Sequence, residues 1–594
     1  MHHDIRHVGL DSRTQPTTAL TDRARCELLL GDEAAAQAAI DAGIGGVFSY
    51  PGTPATEIFE YIEEHARPVG EPGGISALWS ANEKVAYEEA LGMSYAGRRA
   101  LVSMKHVGLN VAADPFMSSA ITGVNAGIVL VVGDDPGMHS SQNEQDTRYY
   151  HEFAQVPLFE PSSQQEAYDQ VLEAFEYSEA VGLPVMVRMV TRLCHSRANV
   201  TLGGLSGGLT IDSSGATSND ARATGRAAPR YPRPEPNDWV LVPSNARRRY
   251  RRLLDLQPRL LHDSETSKSN WIRLRGKRGI IATGIAQNYV AEALGDYEGD
   301  SLLHIGRYPM PVRLIREFVD HCDEIIVVED GYPFVERRLN GVLGLAGKAV
   351  KGRLSGDLPR DGELTPDSVA AALGVPFVSA AQPLSDLAAR PPQLCRGCPH
   401  ADSFKAIIEA LAPHPDAYML SDIGCYALGV LPPFRAVHSC VDMGASIAMA
   451  FGAAQAGAHP VICTIGDSTF AHSGMTPLIG AARANANITV FILDNATVGM
   501  TGAQDSLSCG DRLVEIVRAL GVDPDHLHVI EPLAKNHEAN VALIRREVEY
   551  RGLSVIIPRR ACIHVKRQSK PAGPASACGA GCACTLTVRA QPTP

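Results

Sequence analysis

Two groups of residues have the types and the spacing to do chemistry. The first lies in GDSTFAHSGMTPLIGAARANANITVFILDN, from Gly466 to Asn495. Apolar VICTI runs up to Gly466 and TVFIL runs up to the Asp-Asn pair, so each polar group closes a strand. A Gly-Asp pair that leaves a strand for a helix offers backbone N–H groups to a diphosphate and the Asp467 carboxylate to a hard cation. Asn495, 28 residues after Asp467 and at the end of the neighbouring strand, adds an amide oxygen. One carboxylate, one amide oxygen, a backbone carbonyl and phosphate oxygens suit the octahedral preference of Mg2+. Either pair alone is an ordinary turn; paired at this spacing, they point to a ligand.

The second group is cysteine. LCRGCPH places Cys395 and Cys398 in a C-x-x-C turn, and Cys425 closes the strand-like SDIGC. Two thiols in one turn plus a third returned by the fold suit an iron–sulfur cluster. Four-thiolate zinc and metal-free buried thiols stay open beside it. Near the C-terminus, Cys578, Cys582 and Cys584 do not follow the C-x2-C-x2-C-x3-C-P run of a bacterial ferredoxin module.

The elements that must position these groups alternate strand and helix. ELLLGDEAAAQAAIDAGIGGVFSYPGTP reads as strand, helix and strand ending in a Pro-Gly turn, and ALVSM, GIVLVVGDD and LPVMVRMV are further buried strands. The fold class expected is α/β, with three doubly wound domains: residues 27–200, 276–390 and 391–566. Between the first two lies a Gly-, Ser- and Pro-rich insertion, 201–275, ending in a basic helix over Ala246–Leu261. Its arginines are expected on a solvated face or a subunit contact. A polar leader, 1–26, and a loose cysteine-containing tail, 567–594, complete the chain.

Composition excludes several functions. With 594 residues, 45% hydrophobic and 20% charged, the chain is globular rather than disordered. A formal charge of −12 argues against a nucleic-acid backbone as partner. No apolar run approaches the 18 residues of a membrane span, so no membrane insertion is expected. The N-terminus has no apolar core of a secretory signal. Thirteen cysteines without such a signal point to a reducing compartment, the cytoplasm.

Gly466–Asp467 and Asn495 at this spacing resemble the signature of thiamine diphosphate enzymes, with Ser468 where glycine is commoner. Taken with YPGTPATEIFE, SANEKVAYEEALG, MKHVGLNVAADP, CRGCPH and MTGAQ, the chain from Glu27 to Cys562 resembles the large subunits of the indolepyruvate:ferredoxin oxidoreductase family. These are thiamine-diphosphate-dependent 2-oxoacid:acceptor oxidoreductases. The resemblance implies pyrimidine-binding, transketolase-C-terminal-like and diphosphate-binding domains, in that order. It places Asp467, the Asn495 side chain and the Thr497 carbonyl on Mg2+. Gly466, Ser468 and Met500 would lie against the cofactor, and Met443 in VDMGASIAMAFG would prop its bend. Glu83, fourteen residues before Gly97, would be the glutamate that hydrogen-bonds the aminopyrimidine; Glu88 and Glu89 are rivals deeper in the same helix. Thr53, Lys105, His106 and Asn110 are the implied substrate contacts.

The resemblance also implies that Cys395, Cys398 and Cys425 hold a 4Fe–4S cluster with a distant fourth ligand, Cys562, or Cys509 in reserve. A small partner subunit of about 200 residues in a symmetric α2β2 assembly is implied as well. The reaction implied is oxidative decarboxylation of an aryl 2-oxoacid to its coenzyme A ester, with electrons leaving to ferredoxin. Two departures bear on the acceptor: the missing two-cluster ferredoxin module and the 201–275 insertion. A separate ferredoxin, a flavoprotein or another partner therefore all stay open. The competing expectation is a non-oxidative thiamine decarboxylase with structural or zinc-bound cysteines.

Overall fold

The computed structural model describes residues 25–71, 73–203, 239–376 and 392–565. The leader, most of the Gly-Ser-Pro insertion and the tail with Cys578, Cys582 and Cys584 lie outside the described residues.

Three mainly parallel sheets carry the chain. In the first, the order is Arg307–Tyr308, Leu158–Phe159, Val185–Val190, Ile128–Asp134, Ala100–Lys105, Gly46–Ser49, Ser76–Trp79. Strand Ile128–Asp134 is buried along its whole length, because helices cover both faces of a parallel sheet. The chain runs from Gly46–Ser49 outward to Ser76–Trp79, then returns to Ala100–Lys105 on the other side. That reversal opens a crevice at the strand ends where ligands bind in doubly wound sheets. The loops leaving it carry Tyr50–Thr53 and Lys105–Asn110.

The third sheet repeats the device. Its six parallel strands run Ser439–Cys440, Tyr418–Ser421, Val461–Gly466, Ile488–Leu493, Leu553–Pro558, Leu527–Ile530. Here the order reverses between Tyr418–Ser421 and Val461–Gly466, so the crevice is flanked by Asp422–Cys425 and by Asp467. The middle sheet has five strands, with Asn270–Arg273 as an antiparallel edge.

Two features differ from the expectation of separate domains joined by an insertion. Strand Arg307–Tyr308, from the middle of the chain, pairs antiparallel with Leu158–Phe159 and extends the first sheet. Beneath it lies a buried ionic lattice. Arg188 reaches Asp134 at 2.6 Å and Glu160 at 2.5 Å, while Arg148 reaches Asp146 at 2.5 Å and Glu329 at 2.9 Å. Buried charges of this kind persist only when paired, and here the pairs lock the first and middle units together. The basic helix, Pro243–Glu265, is also no solvated face throughout: Arg249 is buried and donates to the carbonyls of Ile121 and Thr122. Among the described residues no helix is long and apolar enough to cross a membrane.

Candidate active site between the first and third sheets

The two crevices face each other. Asn82 caps the helix Glu83–Tyr95 by accepting from the Val85 N–H at 2.9 Å, and its amide donates to the His472 carbonyl at 2.9 Å. One side chain thus fixes the start of the helix and docks it on the third unit. Glu83, the first residue of that helix, is buried, and its Oε2 lies 2.8 Å from His472 Nε2. Beside it, the Tyr50 hydroxyl lies 2.8 Å from Ser468 Oγ, and the His472 and Tyr50 rings meet edge to face at 4.8 Å. Burial pushes the Tyr50 phenol above its usual range, so it stays neutral. A narrow cleft opens here, lined by Tyr50, Trp79 and Ser80 on one wall and Ser468, Ala471 and Val498 on the other.

Glu88 and Glu89 do not enter this junction: Glu88 pairs with Lys84, and Glu89 accepts from Ser80 Oγ at 2.5 Å. Glu83 packs instead against Gly108, where an added Cβ would fall 2.7 Å from its Cγ and Oε1. Thr53 and Lys105 meet at one residue: the Thr53 carbonyl accepts from Ser140 Oγ at 3.2 Å, and Lys105 Nζ donates to the Ser140 carbonyl at 3.1 Å. Burial lowers the Lys105 pKa, and the nearby Asp135 and Glu83 carboxylates partly oppose this. His106 is buried with Nε2 3.1 Å from the Asn143 carbonyl, and Asn110 is exposed, accepting from the Tyr150 hydroxyl at 2.6 Å.

The cation set predicted from spacing converges. Gly466 ends its strand buried, and Asp467 is buried with Oδ2 lacking any hydrogen-bond partner. Burial, helped by the negative charge of Asp494, pushes the Asp467 carboxyl up to about 8. One terminal atom of the Asn495 amide lies 3.1 Å from the Thr497 carbonyl oxygen and 3.0 Å from Asp467 Oδ1. With nitrogen turned inward, the amide donates to both. With oxygen turned inward, it stands 3.0 and 3.1 Å from two further oxygens, near the cis edge of an Mg2+ octahedron, about 2.9 Å for bonds of 2.0–2.1 Å. A buried carboxylate with one oxygen unpartnered and an oxygen set of this size fit Mg2+. Met443 is half-buried, and the turn it belongs to packs on the His472 segment: an added Cβ on Gly444, at φ 89°, would fall 2.5 Å from Ser473 Cβ. Met500 is 59% exposed.

The cysteines gather at the other side of Asn495. Cys395 and Cys398 form a turn closed by the Cys398 N–H donating to the Cys395 carbonyl at 3.0 Å. Cys425 starts the next turn, and its thiol is pushed up to about 12, first by burial and then by Cys398, Cys562 and Cys395 around it. The Cys562 N–H donates to the Asn495 carbonyl at 3.0 Å, so the backbone of the last thiol-bearing loop is bound to the backbone of the cation set. Cys509 lies elsewhere, at the start of helix Gly510–Ala519, with its thiol on the Ser506 carbonyl.

His472, Tyr50 and Asp422 are the members that spacing did not reveal. Asp422 is buried, accepts from Ser446 Oγ at 2.7 Å and from the Tyr426 hydroxyl, and is pushed up to about 7 by burial. His472 stands within the GDSTFAHSG motif, in a widened π turn over Phe470–Gly474. Nothing in its local sequence says that it faces Glu83, which is 389 residues away along the chain.

A fold of two opposed doubly wound crevices, with a buried glutamate across from a Gly-Asp strand end, defines a thiamine-diphosphate enzyme. Two family descriptions match accordingly: "Thiamine pyrophosphate enzyme, C-terminal TPP binding domain" over residues 422–556, and "Pyruvate flavodoxin/ferredoxin oxidoreductase, thiamine diP-bdg" over residues 37–213. Indolepyruvate oxidoreductase subunit IorA of Archaeoglobus fulgidus is 39% identical over 90% of this chain and 86% of its own length. The IorA subunits of Methanothermobacter thermautotrophicus and Pyrococcus horikoshii are 37% and 36% identical, again over 90% of this chain and over 86% and 85% of their own lengths. The chain belongs to the IorA family of 2-oxoacid oxidoreductases.

Proposed function

We propose that this chain is the large subunit of a cytoplasmic enzyme that oxidatively decarboxylates an aryl 2-oxoacid of the indolepyruvate type to its coenzyme A ester. Electrons leave through one 4Fe–4S cluster to ferredoxin or another acceptor, and a small subunit completes an α2β2 assembly. Residues 27–200 and 391–566 are the pyrimidine- and diphosphate-binding domains, and 276–390 the transketolase-C-terminal-like domain. The names of the IorA relatives support the substrate class.

Thiamine diphosphate, when bound, supplies the electron sink that lets the carboxyl carbon leave and the electron pair depart. Asp467, Asn495 and the Thr497 carbonyl hold Mg2+, and Gly466 and Ser468 receive the diphosphate. Met443 and Met500 bound the cofactor's remaining surface. Glu83 hydrogen-bonds the pyrimidine, and His472, bound at Oε2, keeps that carboxyl aligned. Lys105 and Thr53 orient the 2-oxoacid carboxylate, with His106 and Asn110 shaping the wall beside them.

The observation that carries the oxidative assignment is the hydrogen bond from Cys562 to Asn495. It sets the four-thiol group directly against the cation set, where an electron exit has to be. Iron and acid-labile sulfide in anaerobically purified protein, co-expressed with its small subunit, test the assignment. About four of each per chain, with 2-oxoacid-dependent dye reduction, are expected for one cubane. Iron-free, zinc-loaded protein that still releases CO2 refutes it in favour of a non-oxidative decarboxylase.

A further inference from the structure

A second constellation in the first unit uses none of the residues described so far. Asp32 lies in the first turn of helix Gly31–Asp41, Glu57 in the first turn of Thr56–His65, and His195 ends Thr191–His195. One ligand atom from each, two carboxylate oxygens and an imidazole nitrogen, lie within 4.8 Å of one another. Among the described residues this is the one such group of three.

Asp32 is fully buried, and neither of its carboxylate oxygens has a hydrogen-bond partner. Glu57 Oε2 is buried as well, and His195 Nε2, 3.5 Å from it, is its ion-pair partner when protonated. The close approach is built into the backbone. A Cβ on Gly31 would fall 2.2 Å from the Leu193 carbonyl oxygen, so the start of the Asp32 helix rests on the main chain that leads to His195. The Cys194 thiol beside Asp32 is only a weak donor. Burial raises the Asp32 carboxyl well above its usual range, as expected of a carboxylate with nothing to neutralise it.

Two carboxylates and one imidazole cancel the charge of a divalent ion and leave a fourth position for water, a donor set that suits Zn2+. The His195 ring also contacts the Pro54 carbonyl, the kind of outer hydrogen bond that orients a ligating imidazole. We propose that Asp32, Glu57 and His195 form a binding site for a divalent transition-metal ion of the Zn2+ kind, separate from the Mg2+ and cysteine sites. The ion pins the starts of two helices to the 191–195 segment. Because Glu57 follows Thr53 by four residues, it also braces the Tyr50–Thr53 turn that lines the active-site cleft.

The test is zinc binding to the full chain, purified anaerobically, stripped with EDTA and kept in saturating Mg2+. Wild type is compared with Asp32→Asn and His195→Gln, whose cysteine sites are the same. After titration with Zn2+ and gel filtration, wild type is expected to retain about one more zinc per chain than either variant, at equal iron content. Its melting temperature should rise with Zn2+ while that of His195→Gln does not. Equal zinc in all three proteins overturns the proposal. Should Asp32→Asn fail to fold, His195→Gln, with its partly exposed side chain, carries the comparison alone.

Discussion

Gly108→Ala tests the alignment of Glu83 without touching the glutamate. Gly108 lies in the short helix His106–Val111 and has an ordinary right-handed backbone, so alanine is tolerated locally. The new Cβ would sit 2.7 Å from Glu83 Cγ and Oε1, against an ordinary contact that begins near 3.4 Å, so the carboxyl must retreat by about 0.7 Å. It cannot do so freely, because Glu83 is buried and bound to His472 at 2.8 Å. A misplacement of about 1 Å at a reacting group costs roughly 100-fold in rate. We therefore expect kcat to fall by about 10- to 100-fold, or roughly 1.4–2.7 kcal/mol of barrier. The assay is anaerobic dye reduction with an aryl 2-oxoacid and coenzyme A, alongside deuterium exchange at C2 of bound thiamine. Both rates should fall together while the iron content stays constant. Gly92→Ala is the control: it lies in the Glu83 helix, an added Cβ meets nothing within 4 Å, and turnover should be unchanged. Wild-type exchange and turnover in Gly108→Ala would refute the role given to Glu83.

Three further outcomes follow from the geometry. Cys562→Ser should lose most of its iron and its dye reduction while Cys509→Ser keeps both; equal iron in the two variants would return the fourth ligand to open choice. Binding Mg2+ requires the Asp467 carboxyl to lose its proton, and in the metal-free chain that group titrates near 8. Apparent Mg2+ affinity should therefore drop about tenfold per pH unit below 8 and level off above it, measured by Mg2+ titration of thiamine diphosphate binding at pH 6, 7 and 8.5; a flat profile contradicts the assignment. Arg148→Met strands the buried Glu329 carboxylate without its cation and leaves Asp146 with Arg188 alone, at 3.7 Å. That should cost about 3–5 kcal/mol, seen as a lower denaturant midpoint for the first and middle units, and an unchanged midpoint would show that the lattice adds no stability.

The sequence by itself determined the α/β class and the strand ends that carry the chemistry. Period and composition are local: VICTI before Gly466 and TVFIL before Asp494 are apolar runs bounded by polar turns, and a strand of that kind must be buried wherever it lies. The 28-residue spacing from Asp467 to Asn495 was legible for a related reason, since one strand–helix–strand crossover fixes how far apart consecutive strand ends fall in sequence. The helix that begins at Glu83 was legible too, from small and apolar residues recurring at helical spacing.

What remained was decided by packing between distant segments. Glu83 meets His472 because the Asn82 cap docks on a carbonyl in the third unit, a contact with no trace in either local pattern. Cys562 rather than Cys509 joins the other thiols because strand Leu553–Pro558 lies beside Ile488–Leu493 and delivers the following loop to Asn495. Arg148 and Arg188 are fully buried, each paired by carboxylates from more than one element, partners that no local pattern names. Arg307–Tyr308 likewise joins a sheet whose other strands end more than a hundred residues earlier. Local sequence sets which face of an element is apolar, whereas the choice of which polar groups end up opposite one another is made only when the units close and every buried charge has to find a partner.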